Sequence, residues 1–124
     1  MFKKRYSFNK RTNEALKALK VMDKYPNRAP IIVEKSRHAT DIPNIDRKKY
    51  LVPKDITVAE FIYIIRKRLH DINPNAFTAD KALYFFVNNS SIPVPSQTIN
   101  MLYENHKDED NFLYMTYAGE STFG

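Results

Sequence analysis

No glycine occurs in the first 118 residues of this 124-residue chain; the two it has are Gly119 and Gly124. Glycine is the residue that enters left-handed backbone conformations without steric cost. A chain that lacks it cannot build a glycine-rich loop around a phosphate, so the nucleotide-binding loops that depend on one are excluded. Backbone freedom is confined to the last six residues.

The length suffices for one domain with a real core. A content of 43% hydrophobic and 27% charged residues is that of an ordinary globular protein. The absence of cysteine removes disulfides, thiolate nucleophiles and cysteine-ligated zinc, and suits a reducing compartment. No apolar run approaches the ~18 residues of a membrane span. The basic N-terminus lacks the apolar core of a signal peptide. Phe2 rules out N-myristoylation, and no cysteine is available for prenylation. The net charge of +6 is unevenly spread: residues 1–30 hold nine Lys/Arg against two Asp/Glu, and residues 71–124 hold two against seven. A basic first half and an acidic last third suggest a face for acidic partners or anionic lipid.

Phe8, Thr12, Ala15, Leu16, Leu19 and Met22 recur at three- and four-residue steps, which predicts an amphipathic helix over 8–25 with Ser7 as its cap. Pro26 stops it at Tyr25. Residues 29–35 read as a strand of mixed faces, and 36–46 as a polar loop containing Pro43. Residues 48–53, Lys-Lys-Tyr-Leu-Val-Pro, read as a second strand, antiparallel to the first. Lys49, Leu51 and Pro53 share one face of it, and Tyr50 and Val52 the other. Apolar groups on both faces mean that both are covered by protein, or that one awaits a partner; the proline favours an edge.

Thr57 and Glu60 form a capping box for a helix from Val58 to Leu69, with Val58, Phe61, Ile62, Ile65 and Leu69 as its buried stripe. Ile64 falls off that stripe. Residues 71–80 read as a polar loop. Leu83–Val87 is an apolar strand expected at the centre of the sheet. Thr98 or Ser96 caps a short helix through Ile99, Leu102 and Tyr103. Asp108–Asn111 is a turn, and residues 112–117 a last strand. These elements make an α+β roll around one sheet.

Catalysis finds little support. His38, His70 and His106 are isolated and lack ligand spacing, so no metal site is expected. Asp108, Glu109 and Asp110 lack the alternation and glycine of a calcium loop. No nucleophile elbow is present. A nucleic-acid-binding domain is an alternative because of the basic half, with Tyr84, Phe85 and Phe86 as a stacking platform. These aromatics lack the basic and glycine neighbours of the RNA-recognition signature, and a core strand accounts for them better. A terminal glycine carboxylate has no Cβ to obstruct an enzyme, and it is suited to activation and transfer to an amine.

Several stretches in order along nearly the whole chain resemble the autophagy-related protein 8 family, which includes GABARAP. They are Lys24-Tyr25-Pro26-Asn27-Arg28-Ala29-Pro30-Ile31-Ile32-Val33-Glu34-Lys35, Lys48 to Pro53, Phe86-Val87-Asn88-Asn89, Tyr103-Glu104, Asp110 to Tyr114 and Phe123-Gly124. The resemblance implies a ubiquitin-like β-grasp with a four-stranded mixed sheet and two extra N-terminal helices. The implied division is a helical extension over 1–27, a core over 28–117 and a tail over 118–124.

It further implies a modifier that is not an enzyme and needs no cofactor. Gly124 would be joined to phosphatidylethanolamine by activating and conjugating enzymes and released by a cysteine protease. The protein would be a monomer in the cytoplasm and peripheral on autophagosomal membranes once lipidated, with no nucleic-acid partner. Receptors and adaptors would dock aromatic-x-x-aliphatic motifs by adding a strand at Lys49–Val52. The family's aromatic pocket maps onto Val21, Pro30, Ile32, Lys49, Leu51 and Phe112. Its aliphatic pocket maps onto Tyr50, Val52, Pro53, Ile56, Phe61 and Ile64. Arg28, Lys49 and Arg68 would meet acidic side chains, and Phe85, Phe86 and Val87 would form a second interaction surface. An unconjugated peptide-binding adaptor is the other reading of the same groove. Departures from the family pattern are Lys17 where an acid is usual, a longer segment over 71–80, and Asn111 in place of an aromatic or glycine. Most members also carry residues after the glycine, whereas this sequence closes on Gly124.

Overall fold

The computed structural model describes residues 20, 23–88 and 91–119. The helix expected over 8–25 lies outside them, apart from Lys20, Asp23 and Lys24, which are helical. Val21, Lys17 and the tail from Glu120 to Gly124 also lie outside.

Four strands form one mixed sheet: β1 (Arg28–Lys35), β2 (Lys49–Pro53), β3 (Tyr84–Val87) and β4 (Leu113–Ala118), in the order β2-β1-β4-β3. β1 pairs antiparallel with β2 and parallel with β4, and β3 pairs antiparallel with β4. β1 and β4 are central in that order, and almost all of their residues are buried on both faces. Ala29, Ile31 and Val33 face one side, with Leu113, Met115 and Tyr117; Pro30, Ile32 and Glu34 face the other, with Tyr114 and Thr116. Pro30 is tolerated in a central strand because pairing with β4 begins only at Ile31.

The apolar strand over 84–87 is at the edge of the sheet and not at its centre. Hydrophobicity signals burial and not position. Phe85 and Val87 are buried against the core, whereas Tyr84 is exposed and Phe86 half-buried. A three-ring stacking platform is therefore not presented, since Phe85 faces inward.

Helix α1 (Val58–Ile72) begins at the expected capping box. Thr57 Oγ1 accepts from Glu60 N–H at 3.1 Å, and Glu60 Oε1 accepts from Thr57 N–H at 3.1 Å. Val58, Phe61, Ile65 and Leu69 are buried and Ile62 partly so. Each such side chain contributes about 1.5–3 kcal/mol. The helix runs three residues past Leu69, because the first backbone obstacle is the Asn73-Pro74 pair. Helix α2 (Ile99–His106) is capped by Thr98, whose hydroxyl accepts from Met101 N–H at 3.2 Å.

Two segments expected to be polar loops carry core residues. In 36–46, Ala39, Ile42 and Ile45 are buried. The phenol of Tyr117 holds this segment, accepting from Ile45 N–H and donating to Pro43 O, both at 2.8 Å. Beyond α1, Phe77 is 1% exposed within the core cluster. The Arg66 guanidinium lies 5.1 Å from its ring centroid, and His70 Nδ1–H donates to its carbonyl at 2.8 Å. The 71–80 segment is thus anchored on one aromatic plug.

The only two non-glycine positive φ angles among the described residues are those of Asn88 (52°) and Asn111 (71°). Asparagine is the residue best able to replace glycine there. Asn111 N–H donates to Asp108 O at 2.9 Å, and Tyr103 Oη donates to Asn111 O at 2.6 Å. Asn111→Val is expected to lower stability by about 1–2 kcal/mol, and Asn111→Gly to leave it within about 0.5 kcal/mol, in denaturant melts. Equal effects of the two substitutions would show that conformation does not set this position.

Candidate functional site: the outer edge of strand β2

β2 is an edge strand, so one row of its backbone groups points away from the sheet. Lys54 N–H donates to Asn27 O at 2.7 Å, and Val33 N–H donates to Lys48 O at 2.8 Å. In an antiparallel ladder bonded pairs alternate with non-bonded ones. Ala29–Val52 and Ile31–Tyr50 are therefore the bonded pairs between those two, and the N–H and C=O groups of Lys49 and Leu51 are directed outward. Pro53, which has no N–H, occupies an outward position where the ladder loses nothing. The Arg28 guanidinium reaches across and donates to Leu51 O at 3.2 Å. A strand added here would displace that contact.

The period of two separates the side chains. On one face lie Lys49 and Leu51, opposite Ile32 and Pro30. Leu51 is 37% exposed, while Pro30, Ile32 and Phe112 are buried. Phe112 packs edge-on against Tyr114, with ring centroids 6.4 Å apart. The backbone N–H of Phe112 and the hydroxyl of Tyr114 both donate to the Asp110 carboxylate. Asp110 is thus occupied in positioning these aromatics. Of the six residues assigned to the aromatic pocket, five fall on this face or beside it; Val21 is outside the described residues.

On the other face lie Tyr50 and Val52, over the start of α1. Tyr50 meets Phe61 edge-on at 6.0 Å. Val52 and Phe61 are buried in the core, Tyr50, Pro53 and Ile56 are half-buried, and Ile64 is 48% exposed. Five of the six residues assigned to the aliphatic pocket thus divide into a buried floor and an accessible rim, while Pro53 falls by alternation on the face of Lys49 and Leu51. The Tyr50 phenol oxygen is buried and finds no hydrogen-bond partner among the described residues, and burial pushes its pKa up.

Lys49 and Arg28 are exposed at this edge. Arg68 is already engaged: its Nε and Nη2 donate to the two Asp46 oxygens at 2.7 and 3.0 Å. This hydrogen-bonded guanidinium holds the Asp46 carboxyl below the usual carboxylate range, so the clasp is ionised at neutral pH and opens only in acid. Sequence reading missed Asp46, which lies 22 residues from Arg68 with no local signal linking the two. The proposed second surface is divided by the pleat. Phe85 and Val87 point into the core, and only Phe86 of the three is partly accessible.

The described residues contain no helix long and apolar enough to cross a membrane. Residues 10–124 match the family model described as "Autophagy protein Atg8 ubiquitin like". The chain is 47% identical over 123 residues to autophagy-related protein 8 of Mycosarcoma maydis, covering 99% of this chain and 95% of that one. It is also 47% identical over 124 residues to autophagy-related protein 8e of Arabidopsis thaliana, covering 100% and 93%. The crystal structure of Trypanosoma brucei ATG8 superposes with a TM-score of 0.81 at 39% identity, covering 99% of this chain and 97% of that one. A shared fold, a family match over nearly the full length and relatives at this identity establish that the chain belongs to the Atg8 family of ubiquitin-like autophagy proteins, which are modifiers and adaptors and not enzymes.

Proposed function

We propose that this chain is joined through Gly124 to phosphatidylethanolamine on autophagosomal membranes and docks aromatic-x-x-aliphatic motifs of receptors along β2. The observation that carries the docking half is the pairing of outward backbone groups at Lys49 and Leu51 with apolar sets on both faces of the same strand. An extended peptide added there gains ladder hydrogen bonds, and the two faces discriminate its side chains. Lys49 and Arg28 would meet acids that precede the motif. The conjugation half rests on the terminal glycine and on family membership. Activating and conjugating enzymes and a deconjugating cysteine protease are the partners this chemistry requires. Arrival at the membrane would follow from the attached lipid.

The deciding experiment is reconstitution with a family conjugation system and phosphatidylethanolamine vesicles. Wild type should gain the mass of the lipid and Gly124→Ala should not. Identical behaviour of the two would overturn conjugation at Gly124.

The Arg68–Asp46 clasp gives a separate expectation. Asp46→Asn removes the carboxylate that competes for Arg68. Affinity for a motif peptide with preceding acids should rise by about threefold, in the range of exposed ion pairs. Affinity for the same peptide with those acids replaced should not change. Calorimetry on the two peptides reads the difference.

A further inference from the structure

We propose that the end of the sheet from which the tail departs is a membrane-facing surface, contacting anionic phospholipid headgroups through Lys35, Arg37 and Arg47. The proposal rests on the conjugation reading and adds the orientation in which the conjugated protein sits.

Topology supplies the first step. β1 and β4 are parallel, so their C-terminal ends coincide, with Lys35 opposite Tyr117. Ser36 N–H donates to Tyr117 O at 2.8 Å. Gly119 then lies against Asp41, so closely that a Cβ on it would come within 2.5 Å of Asp41 Oδ1. Gly119, the last described residue, therefore lies beside segment 35–48, and five residues separate it from the conjugated end. Five residues reach at most roughly 18 Å when fully extended. A chain joined to lipid at Gly124 is thus held with this end close to the bilayer.

Charge supplies the second step. Segment 35–48 holds four cations (Lys35, Arg37, Arg47 and Lys48) and two carboxylates, Asp41 and Asp46. Both carboxylates are committed within the fold. Asp46 is clasped by Arg68, and Asp41 is turned in against Gly119. Lys48 lies 3.4 Å from Glu34. Lys35, Arg37 and Arg47 enter no ion pair among the described residues, and both arginines are exposed. Lys35, Arg37 and Lys48 line an open-sided cavity of about 210 Å³ that also includes Ser36, Asn44 and Glu34, the carboxylate beside Lys48.

At the opposite end of the sheet, the loops flanking β2 and β4 are acidic. Residues 54–60 and 88–112, which follow β2 and precede β4, hold two lysines against six carboxylates. Lys24 and Arg28, where β1 begins, also lie at that end, so the contrast is between the two sets of loops. An anionic leaflet held at the tail end attracts the cations of segment 35–48, within the ~8 Å over which salt leaves the field unscreened.

The chain has no cysteine, so Gly124→Cys supplies a single thiol. Coupling it to maleimide-bearing phosphatidylethanolamine places the folded full-length chain on a vesicle without any enzyme. Failure of enzymatic conjugation would leave this measurement standing, so the two readings fail separately. With a paramagnetic headgroup lipid present, the amide signals of residues 35–48 should broaden on phosphatidylserine-containing vesicles. Those of Glu104–Asp110 should not. The bias should vanish on phosphatidylcholine alone, and in K35E/R37E/R47E or the neutral K35Q/R37Q/R47Q. For the uncoupled chain, the charge-reversed variant should partition onto phosphatidylserine vesicles about tenfold more weakly than wild type. Equal broadening at the two ends, indifference to phosphatidylserine, or unchanged partitioning of both variants would overturn the proposal. Displacement from the vesicles by millimolar inorganic phosphate at constant ionic strength would also overturn it, as the mark of a discrete phosphate site.

Discussion

Replacing Phe77 by alanine is expected to destabilise the protein by about 3–5 kcal/mol, the range for deleting a buried aromatic ring from a core. The residue sits in a stretch that looks like a tolerant surface loop, flanked by Asn73-Pro74-Asn75 and Thr78-Ala79-Asp80. Yet its ring is 1% exposed and belongs to the same cluster as Phe61, Ile65 and Leu69. Loss of the ring would leave a cavity beneath Arg66, and would remove the aromatic face over which that guanidinium lies. Phe77→Leu, which retains most of the apolar volume, should cost less than half as much. Urea melts of both variants supply the test. A change below about 1 kcal/mol for alanine would mean that the segment is dispensable, as exposed loops usually are.

The second large effect is expected at Leu51. Leu51→Ala should weaken binding of an aromatic-x-x-aliphatic peptide by about 1–3 kcal/mol, typical of an interface anchor, while altering stability little. The separation follows from its position. Leu51 is the most exposed apolar residue of β2, so truncation removes contact area from a ligand more than from the core. Val52, its neighbour on the opposite face, provides the contrast. It is 4% exposed, so Val52→Ala should lower the melting temperature as well as the affinity. Calorimetry alongside thermal melts distinguishes the two. Unchanged peptide affinity for folded Leu51→Ala would remove β2 from the docking site. Arg28 adds a kinetic element, because its contact with the Leu51 carbonyl must break before a peptide strand can use that acceptor.

Much of the architecture was legible before any coordinates. The Thr57–Glu60 box needs only residues three apart, and it forms as expected. The β1–β2 hairpin follows from two apolar runs joined by a loop. The two-faced character of residues 49–53 was visible as an alternation. It becomes two separate apolar surfaces because an edge strand has covered flanks and an outward backbone. The absence of glycine before position 119 also carried meaning. Among the described residues, the left-handed positions are taken by asparagine, at Asn88 and Asn111.

Other features were decided only by tertiary structure. The apolar run over 84–87 reads as a central strand, but β4 takes the central place beside β1 and leaves β3 at the edge. Hydrophobic content reports how much of a strand is covered, and not which neighbours cover it. The pinning of segment 36–46 by Tyr117 joins residues 72 and 74 positions apart. The Arg68–Asp46 clasp and the gathering of Lys35, Arg37 and Arg47 beside Gly119 are likewise non-local. The sequence by itself determined the local signals: helix starts, strand alternation and turn chemistry, each settled by residues within a few positions. Which strand lies at the edge, which loop enters the core and where the charges collect were settled by contacts between distant segments, because pairing of those segments is selected by the packing of the whole sheet.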